Sequence, residues 1–247
     1  MTRERMAIAI DGPAASGKSS TAKALARTLG FRHVDSGALY RAATAARVRQ
    51  GADVGGWTEE SVIEAARIVS LAPTDTGFTP LIDGEPAEAE MRGEEVTGRV
   101  SVVAQMPGVR DWVNSLVRKA GEDFDVVVDG RDIGTVVFPD ASLKVFLDAA
   151  PGERARRRLL EKLGRDPTEY EVAEETGKIV LRDEMDAAQS VRSPQAVVID
   201  TTHLDQGEQI AQIVELARQA AGNQDAIQPA AASLRGRDRV KVDPAPG

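Results

Sequence analysis

Cysteine is absent from the 247 residues, which excludes disulfides and thiolate metal sites and leaves the redox compartment only weakly constrained. Aromatic residues are scarce at 4%, so any core must rest on Val, Ile, Leu and Ala. Positive charge is not in excess: 31 Lys and Arg face 39 Asp and Glu, a formal net charge of −8. A surface that follows a nucleic-acid backbone needs a basic field, so that class of partner is excluded. A small phosphorylated ligand held by a few gathered arginines is not. No apolar run reaches membrane-spanning length, and the first residues carry no long apolar stretch of the secretory kind. The expectation is therefore a cytoplasmic protein with no membrane partner.

What is present is a series of short apolar runs of strand length. Residues 6–11, 31–35, 125–129, 143–147 and 196–200 read as buried strands, each bounded by turn or helix signals. Helical spacing follows over 18–29, with Gly30 as its stop, and over 38–50. Residues 96–119 read as helical with an interruption at Pro107-Gly108, and 153–163, 168–186 and 204–220 read as further helices. Strands separated by helices predict an α/β architecture around a parallel sheet. Residues of about 51–95 break this plan and read as an insertion, with a hairpin turning at Asp83-Gly84. The segment 223–247 is rich in Ala, Pro and charge without period and reads as a disordered tail.

The strongest motif is Gly12-Pro13-Ala14-Ala15-Ser16-Gly17-Lys18-Ser19, followed by Ser20. Its glycines let backbone N–H groups curl around phosphate oxygens, and the helix that follows offers its positive N-terminus to the same anion. Lys18 would reach the β- and γ-phosphates, and the Ser19 hydroxyl would ligate Mg²⁺. A strand before and a helix after set it apart from a chance glycine-rich turn. ATP or GTP binding follows, but many unrelated enzymes share this loop.

A phosphorylated acceptor needs cations on a second side of the site, and Arg41, Arg110, Arg131 and Arg182 are candidates. Arg41 follows the second strand and Arg131 the third, at the carboxyl ends where open parallel sheets bind ligands. Asp129 stands where a second acidic residue supports Mg²⁺, though an aspartate there also suits a helix cap. Arg154 and Arg158 are four apart and share one face of a basic helix, suited either to clamping ATP phosphates or to solvent.

Three blocks, Asp11-Gly12-Pro13, Asp35-Ser36-Gly37-Ala38-Leu39-Tyr40-Arg41 and Asp129-Gly130-Arg131-Asp132-Ile133-Gly134-Thr135-Val136-Val137-Phe138-Pro139-Asp140, resemble bacterial cytidylate kinases. Arg182-Asp183 and Ile199-Asp200-Thr201-Thr202 fit as well, and the resemblance spans about 6–218. It implies a three-layer P-loop NTPase fold with a five-stranded parallel sheet. Residues 1–222 would form one nucleoside monophosphate kinase domain, with an enlarged monophosphate-binding insert at about 51–95 and a helical lid at about 154–190.

The resemblance also implies roles. Ser101, Arg110 and Asp132 would read cytosine. Ser36, Arg41 and Arg131 would hold the acceptor phosphate side. Arg182 would act from the lid, and Asp186 would contact the sugar. Where the family carries a further phosphate-binding arginine, seven residues beyond Arg182, this chain has Gln189, and Arg192 is expected to take that role. ATP with Mg²⁺ would donate to CMP or dCMP in a monomeric enzyme. Lys18, Arg131, Arg154, Arg158 and Arg182 would stabilise the transferring group, and no general base is needed because a phosphate monoester is already nucleophilic. His33 and His203 fit no role in this scheme and read as structural or surface residues. The alternatives are a kinase for another acceptor, such as UMP or shikimate, and a non-catalytic ATP-binding regulator.

Overall fold

A computed structural model describes residues 5–51 and 56–222. The segment 223–247, expected as a disordered tail, lies outside the described residues. Five parallel strands form the central sheet: β1 (Ala7–Asp11), β2 (Arg32–Asp35), β6 (Val126–Gly130), β7 (Leu143–Asp148) and β8 (Val197–Asp200). Their order is β2-β6-β1-β7-β8, so the strand bearing the phosphate loop is central. The five strands match the five apolar runs. β1 and β6 are buried almost throughout, as a parallel sheet covered on both faces requires.

Two apolar layers cover the sheet. On one side α1 (Lys18–Leu29) and α9 (Gln206–Ala220) pack Leu25, Leu29, Ile213 and Ala217 against Ile8, Ile10, Val127 and Leu147. On the other, α2 (Ser36–Arg49), α3 (Glu59–Ala66), α5 (Glu94–Val103) and α6 (Pro107–Asp123) pack Leu39, Val62, Val100 and Val113 against Ala9, Val34 and Val128. The core is aliphatic, as the scarcity of aromatics requires.

Local chemistry fixes the helix ends. Gly30 ends α1 in the left-handed region at φ 70°, which only glycine adopts without cost. Asp35 caps α2 by accepting the Ala38 N–H at 3.0 Å. Pro107 opens α6, which accounts for the interruption read within 96–119: α5 stops at Val103 and a new helix begins. Thr168 and Glu171 form a capping box at the start of α8 (Glu169–Asp186), and Asp205 and Glu208 form another before α9.

The region read as an insertion is a small antiparallel sheet, β3 (Val69–Pro73), β4 (Phe78–Ile82) and β5 (Glu85–Pro86), followed by the short α4 (Glu88–Met91). Its hairpin turns at Asp83 and Gly84, both at positive φ (56° and 78°), as the Asp-Gly pair predicts. The strand β3 and the helix α3 carry no comparably strong signal in the sequence. Helix α7 (Pro151–Leu163) and α8 pack together as a pair beyond β7.

Candidate active site

The glycine-rich loop joins β1 to α1 at the carboxyl edge of the sheet. Gly12 is pressed onto β7 so closely that an added Cβ would lie 2.1 Å from the Leu147 carbonyl oxygen, and its φ of 151° also excludes other residues. Gly17 precedes α1 in the left-handed conformation at φ 84°, and no side chain caps that helix. An anion is therefore the natural partner of its first N–H groups. Lys18 is buried and donates from Nζ to the Pro13 carbonyl at 2.6 Å. Burial, and then the nearby Arg131, push its ammonium well below its usual range, so an arriving anion relieves a strained cation.

Ser19 donates its hydroxyl to Asp129 Oδ2 at 2.5 Å. The two residues named as metal candidates therefore meet, one from α1 and one from the end of β6. Asp129 lies beside Asp35 in the strand register. Burial, and then Asp129, hold the Asp35 carboxyl above its usual range. Among the described residues no group of three or more His, Cys, Asp or Glu could hold a metal. Two oxygen ligands at a phosphate loop nonetheless suit a hard cation that takes its remaining ligands from phosphate and water.

The block after β6 is shaped by Asp11, whose two oxygens accept the N–H groups of Ile133 and Gly134, both at 2.8 Å. That contact ties the end of β1 to the π-helical turn Ile133–Val137 and sets Arg131 and Asp132 over the loop. Arg131 donates to the Gly12 carbonyl at 2.6 Å and to Asp186 at 3.0 Å. Asp132 pairs with Arg110, which also donates to the Ala104 carbonyl at the end of α5. Burial pushes the Asp132 carboxyl up while Arg110 opposes it. Ser101 stands half-buried on α5. Ser36 donates to the Asp129 carbonyl at 2.8 Å, and Gly130 is needed there because an added Cβ would lie 2.5 Å from that hydroxyl.

Arginines gather on the remaining side. Arg41 donates to the Met91 carbonyl and to Thr97 Oγ1, both at 3.1 Å. Arg182, from α8, has a buried Nε with no hydrogen-bond partner among the described residues; Asp186 lies 3.7 Å away, within ion-pair reach only. Its guanidinium is pushed down to about 10, first by burial and then by Arg131, with Arg41 and Arg158 adding to the repulsion. A cavity of about 300 Å³ opens beside it between α5, α7 and α8, lined by Thr97, Arg158, Lys162, Lys178 and Arg182 among others.

The basic helix divides by face. Arg154 is buried and reaches the Ala14 carbonyl at 2.8 Å, so it belongs to the phosphate loop and not to a solvated surface. Arg158 pairs across from α7 to Glu175 on α8 at 3.2 Å. Arg157 serves the fold, donating to Thr201 beyond β8. Arg192 is exposed and makes no ion pair among the described residues.

Three residues of this site carry no role in the sequence reading. Asp183 reaches the phosphate loop from α8, accepting the Ala14 N–H at 3.0 Å and pairing with Arg154 at 2.6 Å. His33 meets Asp129 at 2.7 Å. Its position two residues before Asp35 on one strand was a usable signal, since both then share a face. His203, by contrast, is exposed, as its surface reading predicts. Tyr40 has a buried hydroxyl without a partner among the described residues; burial pushes it up to about 12, and Arg110 and Asp132 lie within electrostatic reach.

Comparison with known proteins gives a consistent match. The family described as "Cytidylate kinase" matches residues 8–219. The cytidylate kinase of Geobacillus kaustophilus is 40% identical over 227 residues, covering 89% of this chain and 100% of the relative. That of Caldanaerobacter subterraneus subsp. tengcongensis is 42% identical over 215 residues, covering 85% of this chain and 94% of the relative. That of Streptomyces griseus is 42% identical over 209 residues, covering 82% and 88%.

Proposed function

The chain belongs to the cytidylate kinase family, and from that premise we propose that it transfers the γ-phosphoryl group of ATP to CMP or dCMP, releasing ADP and CDP or dCDP. One observation carries the reading to the level of residues. Arg182 is part-buried with its Nε unpartnered, and its guanidinium is pushed down first by burial and then by Arg131, with Arg41 and Arg158 adding and Asp186 opposing. Like charges gathered against their own repulsion call for a multiply charged anion, and a phosphate monoester meeting a triphosphate supplies one.

The backbone N–H groups of Gly12 and of 14–20, with Lys18, bind the donor phosphates, and Arg154 stands at the edge of the same loop. Arg41 and Arg131 hold the acceptor phosphate, and Arg182 and Arg158 close over the transferring group from the lid. Arg192 takes the phosphate-binding role in place of an arginine at Gln189 in this reading. Arg110 and Asp132 offer a donor and an acceptor to the amino-pyrimidinone edge of cytosine, with Ser101 beside them. Asp186 passes from Arg131 to the sugar. The acceptor oxygen attacks in line, no proton need be removed, and closure of the lid excludes water that would otherwise hydrolyse ATP.

Ser19 and Asp129 would hold Mg²⁺. When bound, the ion supplies charge neutralisation on the β- and γ-phosphate oxygens.

In this reading residues 1–222 form one kinase domain, with the acceptor insert at about 51–95 and the lid at about 154–190. The enzyme acts as a cytoplasmic monomer on free nucleotides. No helix among the described residues is long and apolar enough to cross a membrane.

The test is ADP formation from ATP and Mg²⁺ with CMP, dCMP, UMP, AMP and GMP offered separately. CMP and dCMP should dominate. Preference for a purine monophosphate would remove Ser101, Arg110 and Asp132 from base reading. ATP binding with transfer to none of the five would leave a nucleotide-binding regulator.

A further inference from the structure

His33 is one of the polar residues near the phosphate loop that the kinase scheme leaves without work. It precedes Asp35 by two residues on β2, so both side chains share one face, and Asp35 is in register with Asp129 on β6. His33 Nε2 stands 2.7 Å from Asp129 Oδ1, while Asp129 Oδ2 takes the Ser19 hydroxyl at 2.5 Å. Each oxygen of this carboxylate thus has its own partner, one facing the strand and one facing the phosphate loop.

The backbone that carries this ring is held by the insert. The His33 backbone N–H donates to the Thr76 carbonyl at 3.2 Å, and Gly77 forms a parallel bridge to His33. An added Cβ on Gly77 would lie 2.6 Å from the His33 carbonyl oxygen and 3.2 Å from its Cβ. The β3–β4 turn of the insert therefore clamps β2 at this residue, and the His33 side chain is only 14% exposed. A largely enclosed side chain on a clamped backbone can orient what it touches.

We propose that His33 is a positioning residue for Asp129: its Nε2–H pins Oδ1, so that Oδ2 stays aimed at Ser19 and at a divalent cation held there with ATP. The inference rests on the proposed metal role of Asp129. Its physical basis is the general one for outer contacts to metal-binding carboxylates, which fix orientation; losing them weakens metal binding about 10–100-fold.

The test compares His33→Asn with His33→Gln. Asparagine stays polar but ends short of Asp129, whereas glutamine can place an amide N–H where Nε2 stands. The readout is the calorimetric Kd of ATP in EDTA and in excess MgCl₂ without acceptor, and the ratio of the two is the Mg²⁺ gain. In His33→Asn the gain should fall about 10-fold, with the EDTA value and the KM for CMP unchanged, and His33→Gln should restore it to within about threefold. If Asp129→Asn loses the gain while His33→Asn keeps it, the positioning role is overturned and the metal reading stands. A gain lost in both His33 variants, with wild-type melting temperatures, also overturns the role, since packing and not the hydrogen bond would then be responsible. If Asp129→Asn keeps the gain, the metal reading fails and the inference falls with it.

Discussion

The carboxylate of Asp183 on α8 accepts the backbone N–H of Ala14 in the phosphate loop at 3.0 Å, although 169 positions separate the two residues. Its other oxygen takes Arg154 at 2.6 Å, and one helical turn further on Asp186 takes Arg131 at 3.0 Å. Donors that face phosphate in the proposed reaction are thus met by carboxylates of α8. In that reaction phosphate and the α8 carboxylates compete for the same groups, and nucleotide binding includes the cost of separating these contacts.

Replacing Asp183 by Asn removes the competing charge while nearly preserving shape. The Kd for ATP should fall about three- to tenfold, because less of the binding free energy goes into releasing the loop. Titration calorimetry decides the matter, and an unchanged or weaker affinity would show that the contact does not oppose ATP.

Arg110 and Asp132 pair in a part-buried site, so removing either leaves the other unmatched against the base. Asp132→Ala should raise the KM for CMP by about 100-fold, as expected for a site built to hydrogen-bond its substrate. Binding of ATP should change little. Steady-state kinetics with CMP and a separate ATP titration resolve the two effects.

Asp11 is buried, and burial pushes its carboxyl from 3.8 up to about 6 despite two accepted N–H bonds. The folded protein therefore holds this proton over a pH range in which the unfolded chain has lost it. Stability from this group is full below about pH 4 and is lost as pH rises towards 6. An Asn does not titrate, so the stability of wild type relative to Asp11→Asn should decline by about 2–3 kcal/mol across that window. Urea unfolding at closely spaced pH values would show it, and a relative stability that rises with pH would contradict the assignment.

Gly12→Ala should destabilise the protein by about 3 kcal/mol or more, since the added methyl meets the Leu147 carbonyl at 2.1 Å. Gly152→Ala is the matched control: nothing lies within 4 Å of its Cβ position. Chemical denaturation of both variants separates the steric effect from a general intolerance of substitution.

Much of this protein is legible in its chain. The five core strands are set by local apolar runs, the phosphate loop by a contiguous motif, and the hairpin turn by a dipeptide with both φ angles positive. Each depends on residues adjacent in sequence, and so does the switch from α5 to α6 at Pro107. α3 and β3 escape such a reading because their apolar positions gain meaning only against α2 and β4.

The site divides along the same line. Lys18 and Ser19 are read from their motif, and Arg41 and Arg131 from their places after strands. Whether Arg154 faced solvent or the phosphate loop was open on helical spacing alone, and its contact with Ala14 decides it. The contacts of Asp183 with Ala14 and of His33 with Asp129 join segments 169 and 96 positions apart. A local pattern carries no record of such a meeting, because only the packing of β2 on β6, and of α8 on the phosphate loop, brings the atoms within bonding distance.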